Sequence, residues 1–294
     1  MWIGSREKCG EDSSSAQRFS CDRKNGKRRF YAKAALALTL AFAAHCTFAG
    51  NDGTDASDKD QQQAALHTLM GKDPAPADSV KDVTLAPWTH GPSSAGPLWI
   101  VAALVQLPAD DVEAQVWTGI MTRDTQGFHL LASDRSERVD TSPMLWNAFV
   151  KLDLVPYRIS DRETAFGVRF DNNYTSTAHS DTTEILSLYR YADARVTPVF
   201  TALTDWSTYD RDEAGDCAKN KVGKGREPSD AQQDACDAES TTQAHYVLSF
   251  SPRTTNGYHD LIVRAKGKAE QGNAARFTWN GKTYRPRRFT GDWH

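Results

Sequence analysis

Between Leu98 and Leu203 apolar residues recur with a period of two, run after run, and that period commits the chain to strands. Seven runs carry it, at 98–107, 112–123, 127–133, 149–159, 164–174, 184–192 and 195–203. The first, LWIVAALVQL, is apolar throughout, and its length and flanking prolines favour a buried strand over a helix. In 184–192, Ile185, Ser187, Tyr189 and Tyr191 alternate against Leu186, Leu188 and Arg190. Pro156 and Pro198 push their strands toward edges or bulges, and Gly119 suits a bulge. Four shorter runs follow at 244–252, 258–266, 275–280 and 282–286. Between the last two, Asn280-Gly281 predicts a type I′ hairpin, because both residues tolerate positive φ. The expected fold class is mainly β, with antiparallel sheets in a sandwich or barrel-like domain over 98–288.

The rest of the chain is punctuated differently. Residues 50–60 are polar and read as a linker, and 60–70 can form a short helix ended by Gly71. Five prolines between Lys72 and Pro97 (Pro74, Pro76, Pro87, Pro92, Pro97) argue against a helix or a central strand and predict an extended connector. Residues 207–242 have almost no apolar content and read as a polar loop closed at its base by Cys217 and Cys236.

At the other end, Lys24, Lys27, Arg28, Arg29 and Lys33 precede an apolar run of eleven residues, Ala34 to Ala44. Thr47 and Ala49 then stand at the −3 and −1 positions of a cleavage site before Gly50. This is the layout of a secretory signal peptide with a long polar N-terminal extension, over 1–49. The run is too short for a bilayer-spanning helix, which needs about 20 residues. Cys46 follows it, but His45 stands where a lipidation site wants a small residue, which argues against a lipoprotein. Arg28-Arg29 alone makes no twin-arginine signal. The expected location is periplasmic or secreted, with no transmembrane segment in the mature chain.

Cleavage there removes three of the five cysteines and leaves Cys217 and Cys236, an even pair that in an exported chain reads as a disulfide. It also removes nine of 35 basic and four of 38 acidic residues, leaving 26 against 34 and a formal net charge of −8. The one basic cluster left is Arg285, Arg287 and Arg288. A nucleic-acid binder needs a basic face, so nucleic acid is not an expected partner.

Four segments resemble secreted β-rich proteins of Gram-negative bacteria that have no assigned function: LDLVPYRISDRETAFGVRF, EILSLYRYADARVTPVF, GYHDLIVRAK and FTWNGKTY. The resemblance spans roughly 98–285. It implies a β fold and an exported location, and it brings no catalytic residue with it.

Motifs with chemistry of their own are missing from the sequence. There is no Gly-x-Ser-x-Gly, no His-Glu-x-x-His, no phosphate loop and no dinucleotide fingerprint. His67, His90, His129, His179, His245, His259 and His294 show no metal-ligand spacing, and His259-Asp260 would point to opposite faces of a strand. Asp205, Asp210, Asp212, Glu213 and Asp216 lack a calcium-loop pattern and read as a solvated loop; Asp171-Asn172-Asn173 reads as a strand-end turn. No catalytic residue, metal ligand or cofactor is expected. The aromatic residues remain. Most strand tryptophans fill cores, so Trp88, Trp206 and Trp293, which fall outside the recognised strands, are the candidates for a surface site. The sequence thus points to an exported non-enzymatic envelope or binding protein whose partner is an envelope protein or a glycan. Two alternatives stand beside it: a secreted hydrolase with residues scattered over strands, and an immunity-type inhibitor of a secreted effector.

Overall fold

The computed structural model describes residues 54–291, apart from 73, 93–95, 108–112, 141–146, 223–224 and 267–273. Sheet I has four antiparallel strands in the order β1 (Val80–Trp88), β2 (Leu98–Gln106), β3 (Glu113–Asp124) and β4 (Gly127–Asp140). Sheet II runs β12-β11-β10-β9-β8-β7-β6-β5. Its strands are β5 (Ala148–Arg158), β6 (Thr164–Thr175), β7 (His179–Ala192), β8 (Arg195–Asp210), β9 (Thr241–Thr255), β10 (Tyr258–Ala265), β11 (Ala274–Trp279) and β12 (Tyr284–Arg285). A short β13 (Arg288–Phe289) pairs with β8 in parallel. Among the described residues neither sheet closes into a barrel, which favours the sandwich alternative.

Strands β6 to β8 form its middle layer, and their alternation explains why. Ile185, Tyr189 and Tyr191 face sheet I, in a core with Trp88, Ile100, Leu104, Phe166 and Phe170. Leu186 and Leu188 face the other way, with Phe200, Phe277, Trp279 and Tyr284. The second face is covered because β9 changes partners. It pairs with β8 only through Thr241–His245 and with β10 from Tyr246 onward. Strands β10 to β12 then fold across the back of β6–β8, where the rings of Phe200 and Phe277 meet edge to face at 4.7 Å. The edge of β8 that β9 vacates is taken by β13 at Thr201 and Ala202.

A helix, α1 (Thr54–Met70), lies on the outer face of sheet I and buries Ala65, Leu66 and Leu69 against Val101, Ala103, Trp117 and Met121. Burial of each leucine contributes about 1.5–3 kcal/mol. The helix can approach this closely because position 119 has no side chain: a Cβ there would stand 2.8 Å from Leu69 Cδ1. Arg135 lies over the Trp117 ring at 3.8 Å and donates to the carbonyls of Leu69 and Met70, which satisfies two acceptors at the end of the helix.

Several sequence expectations change. The helix begins at Thr54, inside the segment read as a linker. The proline-rich connector carries β1, which tolerates Pro87 because it is an edge strand with few ladder bonds to lose. Residues 207–242 are not a loop: β8 runs on to Asp210, and two helices follow, α2 (Arg211–Val222) and α3 (Asp230–Glu239). Their caps are legible. Asp210 Oδ1 accepts from the amides of Asp212 and Glu213, and Ser229 with Gln232 forms a reciprocal capping box. Cys217 and Cys236 join the two helices in a disulfide, as expected. The type I′ geometry lies elsewhere than expected. Asn256-Gly257 and Asp193-Ala194 take positive φ at both turn positions; in the 280–283 turn only Gly281 does, while Asn280 Oδ1 accepts from the amides of Lys282 and Thr283. The bulge expected at Gly119 falls on either side of it, between Val116 and Thr118 and between Ile120 and Met121.

Candidate functional site

Strands β6, β7 and β8 continue past the core with polar residues, and the face they turn toward sheet I becomes the floor of a cleft of about 750 Å³. Strand pairing orders that floor in rows. Asn172, Thr183 and Trp206 stand opposite one another, and Tyr174, Asp181 and Thr208 form the next row outward. Toward the core the floor becomes apolar at Ile185 and Leu203, then reaches Thr201. Glu113 and Arg138 of sheet I, paired at 3.1 Å, form the facing rim, and Arg288, Phe289 and Thr290 close the side.

The inner end is electrostatically built. Glu137 on β4 is fully buried and points from sheet I toward β8. Its Oε1 accepts from Thr201 Oγ1 at 3.1 Å and from Arg288 at 2.8 Å, and its Oε2 accepts from Arg287 at 2.6 Å. A lone buried carboxylate would cost several kcal/mol; here two guanidiniums and a hydroxyl offset its desolvation. Burial, with the Glu137 charge as a lesser cause, pushes the Tyr189 hydroxyl well above the ordinary phenol range. Two of the three arginines in the terminal basic cluster are therefore paired with Glu137.

The opposite surface of the same strand ends carries a second polar network. Arg169 sits between Asp153, at 2.7 Å, and Glu184, which also accepts from Thr204. Next to it Asp205 pairs with His245 at 2.7 Å. Burial raises the Asp171 carboxyl above its ordinary range, with Lys151 opposing the shift.

The tryptophan candidates separate. Trp206 lines the cleft. Trp88 is a core residue, 4% exposed and edge-on to Phe166 at 5.1 Å, because the segment around it is a strand. Trp293 lies outside the described residues. Asn172 went unrecognised because Asp171-Asn172-Asn173 looked like a turn, whereas β6 runs through it to Thr175. Asp181 and Thr183 lie outside the 184–192 run for a related reason: polar strand ends carry no hydrophobic alternation.

Four histidines that showed no partner in the sequence each meet a carboxylate: His129 with Asp124 at 2.9 Å, His179 with Asp181 at 2.8 Å, His245 with Asp205, and His259 with Asp161 at 3.4 Å. Thr208 Oγ1 lies 3.3 Å from His179 Nε2, the same nitrogen that contacts Asp181. A nucleophile relay needs the two partners on opposite ring nitrogens, so this trio is not one. Cys217, Cys236 and Glu239 converge closely enough for a metal, but the two sulfurs are bonded to each other and supply no thiolate. No helix among the described residues is long and apolar enough to cross a membrane.

No protein-family model matches the chain, and no curated protein matches it. Aromatic rings beside amide, hydroxyl and carboxylate groups can stack against a ligand face and fix it by hydrogen bonds.

Proposed function

We propose that this chain is an exported, non-enzymatic binding protein whose ligand lies in the cleft between sheet I and the outer ends of β6–β8. The observation that carries this reading is the cleft itself. Its volume falls in the range of small-molecule sites, and Trp206 and Tyr174 stand there beside the hydrogen-bonding groups Asn172, Asp181 and Thr183. Its carboxylates are each engaged with a cationic or titratable partner: Glu113 with Arg138, Asp181 with His179, and Glu137 with two arginines. The signal-like N-terminal segment and the Cys217–Cys236 bridge support a periplasmic or secreted location, since such bridges persist in oxidising compartments.

The test is a thermal-shift and tryptophan-fluorescence screen of the purified protein against amino acids, nucleotides and oligosaccharides, run beside Trp206→Ala. At least one compound class should raise the melting temperature of the wild type and fail to do so in the variant. Mass spectrometry after prolonged incubation should recover that compound unchanged. Turnover of the compound, or binding indifferent to Trp206, would overturn the reading.

A further inference from the structure

The cleft has two unlike ends, and their separation says what kind of ligand spans them. At the inner end, one buried carboxylate is shared by two guanidiniums, so the Glu137–Arg287–Arg288 group carries one positive charge in excess. Arg288 lines the cleft with its side chain 52% exposed. At the outer end lie the two rows that combine an aromatic ring with a hydroxyl and an amide or carboxylate. Ser187, opposite Thr201, is four residues along β7 from Thr183, opposite Trp206. At about 3.3 Å per residue that is roughly 13 Å. A ligand touching both ends exceeds a single sugar ring or amino acid. The floor is also the face of a paired sheet, where backbone N–H and C=O groups are spent within the ladder. An extended peptide would find no strand edge to pair with there, so side chains must do the recognising.

We propose that the cleft binds an acidic oligosaccharide, with a ring stacked on Trp206 and an anionic substituent at Arg288. This rests on the binding reading above and adds the ligand class. The C–H face of a pyranose packs on an indole, and its hydroxyls suit the short side chains of Asn172, Asp181 and Thr183. The anionic group meets a guanidinium already oriented by Glu137, so little side-chain freedom is lost on binding.

The experiment is calorimetric titration of the full-length protein with three tetrasaccharides: tetragalacturonate, a chondroitin sulfate tetramer and neutral cellotetraose. The acidic tetramers should bind at least tenfold more tightly than cellotetraose, and the preference should shrink as salt rises from 50 to 300 mM. Trp206→Ala should abolish binding of the acidic tetramers. Arg288→Gln should weaken them about tenfold, and Arg288→Lys, which keeps the charge if the glutamine variant fails to fold, should weaken them less. The carboxylate-only and sulfated arms separate the two sources of negative charge. Cellotetraose binding as tightly as the acidic tetramers through Trp206 would overturn the inference and leave the binding reading intact. Acidic tetramers binding equally well to both cleft variants would place their site elsewhere and remove both. No binding of either acidic tetramer would overturn the inference alone, because the broader screen tests the binding reading separately.

Discussion

The inner and outer ends of β6, β7 and β8 share a backbone and differ in almost everything else. At the inner end the strands are packed on both faces: Phe166, Phe170, Leu186, Leu188, Tyr189 and Phe200 are each no more than 2% exposed. At the outer end, Asp171–Tyr174, His179–Glu184 and Asp205–Asp210 are only partly covered and make ion pairs on one surface and a cleft on the other. The contrast teaches that a sheet can carry a site beyond its own core. The packed ends set register, and the ladder transmits it to side chains that contribute little to holding the fold together.

The most direct attempt to break this division compares one aromatic truncation at each end. Phe166→Ala removes a ring stacked on Tyr189 at 5.6 Å and should cost about 3–5 kcal/mol in denaturant unfolding. Removing the bridge comes next. Cys217→Ala with Cys236→Ala frees a loop whose closure is valued at about 3 kcal/mol by chain entropy. The loss should stay with α2 and α3, so hydrogen exchange should quicken there while Leu188 and Phe200 remain protected. Trp206→Ala should cost less than about 2 kcal/mol, since its ring is only partly buried. Equal costs for Trp206 and Phe166 would erase the distinction between the two ends.

The smallest effect lies at the opposite tip of β7. Hydrogen bonds from Arg190 first, and then from Tyr258, hold the Glu163 carboxyl below its ordinary range against a partial burial that raises it. A carboxylate depressed in the folded state stabilises above its unfolded pKa, and the contribution is lost as pH falls through the folded value. Arg190→Met should therefore lower stability at pH 7 by about 1 kcal/mol or less, because solvent screens this partly exposed pair. The deficit should shrink toward pH 3, and melting curves at the two pH values measure it. A deficit that did not change with pH would assign the effect to packing.

The packed end was legible in the sequence and the open end was not, for a physical reason. Ile185, Ser187, Tyr189 and Tyr191 alternate because one face of β7 meets sheet I, and burial writes itself into composition. The outward continuation HSDTTE has no such pressure, so β7 was expected to begin at 184 and not at His179. The helices of 211–239 hid for the same reason: their buried residues are only Ala214, Ala218 and Cys236, although the Asp210/Glu213 and Ser229/Gln232 caps were in plain view. By sequence, Trp206 falls outside the recognisable strands. It does line the cleft, but it does so from within β8, and Trp88, which falls outside them too, is core. The Glu137 group joins residues 150 positions apart, and no local pattern encodes such a meeting.

The partner change of β9 has a consequence in time. By leaving β8 at His245 it opens a slot in the middle of the sheet, and the slot is filled by Arg288 and Phe289, which follow every other strand in the sequence. The wall of the cleft and the counter-ions of Glu137 therefore arrive together, after all the other strands have been made. During synthesis, β1 to β12 are complete while the cleft still lacks a side and Glu137 still lacks its guanidiniums. A chain stopped before residue 287 would lack β13, one side of the cleft and both guanidiniums that meet Glu137.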